Sequence, residues 1–83
     1  MPVTVRVPTL LKVWFDGQHE IQTQGQTIGE CLDNLDNHFP GIKPRLKTVV
    51  IFLNGNDVRT LRGMATPVRD NDEIVIYPLL AGG

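Results

Sequence analysis

Thr27-Ile28-Gly29-Glu30-Cys31-Leu32-Asp33-Asn34-Leu35-Asp36-Asn37-His38-Phe39-Pro40-Gly41 is the stretch that decides the fold. Thr27 and Glu30 have the spacing of a capping box, whose side chains satisfy backbone N–H groups that a first helical turn leaves free. Ile28, Cys31, Leu32, Leu35 and Phe39 then recur at helical spacing, so one face is apolar. Asp33, Asn34, Asp36 and Asn37 fill the opposite face and remain in water. Pro40-Gly41 stops the helix. A single amphipathic helix needs an apolar surface to cover, and the flanking segments supply strands.

Upstream, Val3, Val5 and Val7 alternate with Thr4 and Arg6, a half-buried strand ended by Pro8. Asp16-Gly17 is a turn signal, and His19 to Thr23 alternates around Ile21 as a second strand. The pair forms an antiparallel hairpin whose long, mobile loop carries Trp14 and Phe15. These aromatics are either a flexible contact for a partner or a small satellite cluster. Downstream, Ile42 to Leu46 forms one more short turn. Val49-Val50-Ile51-Phe52-Leu53 is the strongest strand, and Asn54-Gly55 is a tight-turn signal. Asp57-Val58-Arg59 is a short returning strand, Gly63 to Pro67 is loop, and Asp70-Asn71-Asp72 is a turn. Glu73 to Tyr77 is the last strand, ended by Pro78. The order β-β-α-β-β-β describes a two-layer α+β domain. Its first and last strands pair in parallel at the centre, because the intervening segments supply the crossover. This is the β-grasp, or ubiquitin-like, architecture. It has a mixed sheet of about five strands with one main helix over residues 1–78, and residues 79–83 form a flexible C-terminal tail.

Composition excludes several classes. The chain has 83 residues, enough for one domain. A net charge of −1 provides no basic footprint for nucleic acid. No apolar run approaches the ~18 residues of a membrane span, so no membrane partner is expected. With one cysteine, no internal disulfide can form, and a cytoplasmic location is expected. Cys31, His19 and His38 are the sole Cys and His residues, too few for a standard zinc site. No metal and no assembled catalytic centre are expected, and the chain is not read as an enzyme. Asp70-Asn71-Asp72 lacks the spacing of a calcium loop. Cys31 lies on the apolar stripe and reads as a buried structural thiol.

Side chains alternate along a strand. If Ile74, Ile76, Val49, Ile51 and Leu53 point to the helix, then Val50, Phe52, Val75 and Tyr77 point away. One helix cannot cover both faces of the sheet. The four outward residues therefore read as an exposed apolar patch that binds a partner. Partial cover by the Leu61–Pro67 loop is the alternative. Arg59, Arg62 and Arg69 are candidates for a rim that steers an acidic partner, Arg59 being counted with the partner-binding residues.

The sequence closes on Leu79-Leu80-Ala81-Gly82-Gly83. A terminal diglycine has a chance probability of about half a percent at average glycine usage. Without Cβ atoms it makes the thinnest possible peptide. Such a tail can thread a narrow cleft and present the Gly83 carboxylate there. A frayed terminus without a role is the competing reading. By itself the diglycine leaves the two readings even.

Further residues join it: Val3-Thr4-Val5 with Pro8-Thr9-Leu10, Gly25 with Thr27, and Asn54 with Asp57-Val58-Arg59. Gly63, Ala65-Thr66, Asp70, Asp72, Ile74 and Ile76 lead on to Pro78 and Ala81-Gly82-Gly83. With this layout the chain resembles, over essentially its whole length, the ubiquitin-like sulfur carriers. That family includes the small subunit of molybdopterin synthase and the thiamine-pathway carrier. Within it, the resemblance points to the carrier of the thiocarboxylate-dependent cysteine pathway.

The resemblance implies that chemistry is done to Gly83, with Leu80, Ala81 and Gly82 as the threading tail. An E1-like adenylyltransferase/sulfurtransferase, using ATP and magnesium, would adenylate the carboxylate. A sulfur donor would displace AMP and leave a thiocarboxylate. A pyridoxal phosphate-dependent synthase would accept the sulfur, and a metallopeptidase would release cysteine. The carrier itself would bind no cofactor. The alternatives are a molybdopterin synthase small subunit, a carrier for another sulfur-containing metabolite, a ubiquitin-like protein modifier joined to lysines, and a binding module with an inert tail.

Overall fold

The computed structural model describes residues 2–79. The Thr27 hydroxyl accepts the Glu30 N–H at 3.1 Å, and the Glu30 carboxylate accepts the Gln26 N–H at 3.0 Å. The capping box thus closes with its return bond one residue earlier than the motif's usual partner. Helix α1, Ile28–His38, follows and buries Ile28, Cys31, Leu32 and Leu35. It stops at Phe39, whose N–H donates to the Leu35 carbonyl at 2.8 Å. Gly41, at φ 90°, turns the chain into the short helix α2, Ile42–Arg45. Asp36 fixes this corner by accepting the Gly41 and Lys43 N–H groups at 3.2 and 3.0 Å.

Five strands form one sheet: β1 Val3–Arg6, β2 Glu20–Thr23, β3 Val49–Leu53, β4 Asn56–Asp57 and β5 Glu73–Pro78. Their spatial order is β2-β1-β5-β3-β4, with β1 and β5 parallel at the centre. The other pairings are antiparallel. Val3, Val5, Ile51, Leu53, Ile74 and Ile76 are buried on the helix side, and with the α1 stripe they make the core. This is the β-grasp fold expected from the order of elements.

Gly25 sets how closely the chain entering α1 lies on that helix. A Cβ there would sit 2.7 Å from the Cys31 nitrogen and 2.9 Å from its sulfur. The nitrogen belongs to helix backbone and cannot rotate away. Gly25→Ala is expected to destabilise by about 2 kcal/mol through overpacking. The melting temperature read by circular dichroism should fall by about 10 °C. A melt indistinguishable from that of the parent protein would mean that this approach relaxes freely.

Three expectations need correction. The segment after β1 is not a mobile loop, and Trp14 and Phe15 form neither a flexible contact nor a satellite. Thr9–Phe15 is a 3₁₀ helix, closed by Asp16 at φ 56°. Leu11 and Phe15 are buried in the main core, and Phe15 meets Phe39 edge-on at 5.2 Å between ring centres. Trp14 packs against the core, with the Arg45 guanidinium 5.7 Å from its ring centre. Leu11 and Phe15 both turn inward from the 3₁₀ helix, which lets the segment close the core beside the end of α1.

The returning strand is also shorter than expected. β4 ends at Asp57, and Val58–Thr60 is a 3₁₀ turn. The Asp57 carboxylate accepts the Arg59 N–H at 2.9 Å, an N-cap that ends the extended run. Finally, the segment at 63–67 is not plain loop. Gly63–Ala65 is a 3₁₀ turn, and Pro67 bridges to Thr27. The Ile28 N–H donates to the Thr66 carbonyl at 3.0 Å, and the Val68 N–H donates to the Gln26 carbonyl at 2.9 Å. These bonds strap the segment to the start of α1, on the helix side of the sheet.

Candidate functional site

β5 leads to the tail. Pro78 pairs with Val49, and Leu79 beyond it is exposed. Leu80, Ala81, Gly82 and Gly83 lie outside the described residues. β1 is parallel to β5 and β3 is antiparallel to it. The end of β1 and the start of β3 therefore share the end of the sheet where β5 stops. Leu10 and Val13, on the 3₁₀ helix that follows β1, are 66% and 79% exposed there. Sequence reasoning did not single them out. The run Leu10-Leu11-Lys12-Val13-Trp14-Phe15 is apolar on most sides, so no period distinguishes Leu11 and Phe15, which turn inward, from the rest.

The outward face of the sheet assembles as the alternation requires. Val50 lies opposite Tyr77, and Phe52 opposite Val75. The Phe52 and Tyr77 rings meet diagonally, 5.2 Å apart at 82°. This edge-to-face geometry stabilises by about 1 kcal/mol beyond area burial. Tyr77 remains 49% exposed, whereas Ile51, Leu53, Ile74 and Ile76 on the other face are buried.

Arg59 borders this patch at the β4 edge. Asp57 lies opposite Phe52, so its side chain shares the outward face. Asp57 accepts from the Arg59 side chain at Nε, 3.1 Å, and at Nη2, 2.7 Å. The Arg59 hydrogen bonds, side-chain first and backbone second, hold the Asp57 carboxyl below its ordinary range. Arg62 and Arg69 are not brought to the patch. Arg62 belongs to the segment strapped to α1, and Arg69 to the turn before β5.

Arg6 takes a place that the sequence reading did not assign. It is Val75's neighbour across the parallel β1–β5 ladder and lies on the same face. Its Nε donates to Glu73 at 2.5 Å, and its Nη1 lies 3.4 Å from Glu20. The outward face is thus apolar at Val50, Phe52, Val75 and Tyr77 and carries an ion-paired cluster of Glu73 at the start of β5, Arg6 on β1 and Glu20 on β2. The alternation of Val3, Val5 and Val7 already turned Arg6 outward. Only the strand register placed it beside Val75.

Cys31 is buried, as read from its stripe. Burial, reinforced by the charges of Glu30 and Asp72, pushes its thiol up to about 11. The thiolate is the reactive form, so the folded protein holds little of it at neutral pH. An aromatic disulfide reagent at mildly alkaline pH is expected to leave native Cys31 unmodified and to label it fully in concentrated guanidinium. Rapid labelling of the native protein would overturn the buried-thiol assignment. Among the described residues, no His, Cys, Asp and Glu side chains group as a metal site. Among the described residues no helix is long and apolar enough to cross a membrane.

Comparison with known proteins accords with this geometry. The profile of the ThiS family matches residues 5–83. The chain is 36% identical to the sulfur carrier protein CysO of Mycobacterium tuberculosis over the full length of both. It is 34% identical to small archaeal modifier protein 3 of Haloferax volcanii, over 69% of this chain and 70% of that one. In three dimensions it superposes on a chain of the Amycolatopsis orientalis BexX/CysO complex with a TM-score of 0.89. That match has 33% identity and covers 98% of this chain and 99% of the other. Alignment through Gly83, full-length identity to a sulfur carrier and a shared β-grasp together place the chain in the ThiS family of ubiquitin-like sulfur carriers.

Proposed function

We propose that the chain carries sulfur on Gly83 for cysteine biosynthesis, as a co-substrate of partner enzymes and not as an enzyme itself. The observation that carries this reading is a family match that runs to residue 83 in a chain similar to CysO along its whole length. In this reading residues up to 78 form the docking body and 79–83 form the tail. Five extended residues span about 17 Å, enough to bring the carboxylate into a cleft while the body stays outside.

The Gly83 carboxylate oxygen attacks the α-phosphate of ATP, held with magnesium on an E1-like enzyme, and pyrophosphate leaves. The acyl-adenylate is a mixed anhydride with AMP as leaving group. A sulfide-level donor attacks the acyl carbon, AMP departs, and a thiocarboxylate remains. Its sulfur then displaces the leaving group of an activated serine derivative held on a pyridoxal phosphate-dependent synthase. The thioester so formed rearranges by an S-to-N acyl shift to an amide, and a metallopeptidase hydrolyses that amide, releasing cysteine and restoring the Gly83 carboxylate. The patch of Val50, Phe52, Val75 and Tyr77, with Arg59 at its edge, is the surface on which the activating enzyme docks. The single buried cysteine suits the reducing cytoplasm, where we place these steps.

Tyr77→Glu tests the docking surface. It is expected to weaken binding of the activating enzyme by about tenfold or more, as loss of an aromatic anchor does. The melting temperature should move by only a few degrees, because the ring is half exposed. Collapse of the melting temperature would show the ring to be part of the core.

Intact-protein mass spectrometry with an E1-like enzyme, ATP, magnesium and sulfide tests the chemistry. One oxygen replaced by sulfur, localised to Gly83, is the expected result. Similarity to a small archaeal modifier protein supports a second reading, in which Gly83 forms an isopeptide bond with lysines on other proteins. Adenylation without sulfur transfer would favour that reading. Absence of both products with the cognate enzyme would overturn the two together.

A further inference from the structure

The β3–β4 ladder has only two pairs, Phe52 with Asp57 and Leu53 with Asn56. Beyond them the chain turns away at Val58, so the Val49–Ile51 part of β3 has β5 on one side and no strand on the other. The register shows which groups this leaves facing outward. The Asn54 N–H donates to the Glu73 carbonyl at 2.9 Å, which makes that pair a hydrogen-bonded one. Hydrogen-bonded pairs alternate along an antiparallel ladder. Phe52 and Val50 therefore direct their main-chain groups toward β5, and Val49 and Ile51 direct theirs to the open edge.

A groove of about 330 Å³ runs beside this edge. Leu32, Leu46, Val58 and Met64 supply its apolar wall. Its charged lining is all of one sign, namely Lys43, Lys47 and Arg59, with no carboxylate among the lining residues. Lys43 is paired with Asp33 and Arg59 with Asp57. Lys47 has no ion-pair partner among the described residues. The opposite edge of the sheet differs. Beside β2 the groove is lined by Pro2, Gln22, Thr23, Gln24, Asn34, Asn37 and His38, with neither lysine nor arginine among them.

We propose that the open edge of β3 and its groove dock an extended segment of a partner polypeptide, with apolar side chains flanked by carboxylates. The segment adds a strand at Val49–Ile51 and sets alternate side chains into the apolar wall. Its carboxylates meet Lys47 and the other two cations. A second copy of this chain is a poorer occupant, because edge-to-edge pairing would bring two sets of these cations together. This groove meets the outward face at Val50 and Arg59 but lies away from Phe52, Val75 and Tyr77, and it does not depend on Gly83.

The test titrates an acetylated, amidated peptide, Glu-Asp-Val-Ile-Val-Ile-Asp-Glu, into isotope-labelled full-length protein followed by NMR. Saturable shifts are expected at the amides of Val49, Ile51, Val58 and Met64, with slowed hydrogen exchange at Ile51. The same peptide with lysine in place of its acidic residues should not saturate. Lys47→Glu, an exposed change that leaves the fold intact, should weaken the acidic peptide by about fivefold. Four results would overturn the proposal: shifts confined to Phe52, Val75 and Tyr77, equal binding of the lysine peptide, no saturation at millimolar peptide, or self-association of the free protein through β3.

Discussion

Deleting Gly83 is expected to reduce ATP-dependent activation by about a hundredfold or more while leaving the melting temperature unchanged. The deletion withdraws the terminal carboxylate by one residue, about 3.5 Å. In-line attack on a phosphate requires near-contact geometry, and even a misplacement of 1 Å can cost about two orders of magnitude. The fold is untouched because β5 ends at Pro78, and the core lies among the strands and α1. Pyrophosphate release with the activating enzyme measures the first effect, and thermal denaturation the second. Adding one alanine after Gly83 should be equally damaging, since the reacting carboxylate becomes a peptide carbonyl. Retained activity in either variant would sink the proposal that Gly83 is the acceptor.

Phe15→Ala is expected to cost about 3–5 kcal/mol, the usual penalty for emptying a fully buried aromatic site. Against a total stability of about 5–15 kcal/mol, this is a large fraction. It should lower the melting temperature by about 15 °C or more. Phe15 is completely buried and meets Phe39 edge-on, so the loss removes both apolar burial and a ring contact between the 3₁₀ helix and the end of α1. Urea unfolding of the variant gives the number directly. A loss below about 1 kcal/mol, in the range of an ordinary surface change, would mean that the Thr9–Phe15 segment is a detachable loop after all.

Phe15 also marks where the sequence stops being readable. The helix was legible because its stripe from Ile28 to Leu35 has one clear period and begins with a capping box. The strands and their two faces were legible for the same reason, since Val3 and Val5, or Ile74 and Ile76, alternate with residues of another kind. Between Leu10 and Phe15 nearly every residue is apolar, so periodicity is silent, and only the space left beside Phe39 selects Leu11 and Phe15 for burial. The end of β4 was hidden differently. Asp57-Val58-Arg59 reads as strand by composition, but the Asp57 carboxylate caps the following turn and ends the ladder.

The candidate site divides along the same line. Patterns local to one segment were sufficient for the diglycine tail, the outward positions of Val50, Phe52, Val75 and Tyr77, and the resemblance to the sulfur carriers. Each depends on residue type at short spacing, which the chain carries before it folds. The Arg6–Glu73 pair joins residues 67 positions apart, and its place beside Val75 follows from the register of the parallel ladder. The open edge at Val49–Ile51 likewise exists only because β4 turns away after two pairs. Register and uncovered edges arise from contacts between distant segments, and so only the tertiary structure decided them.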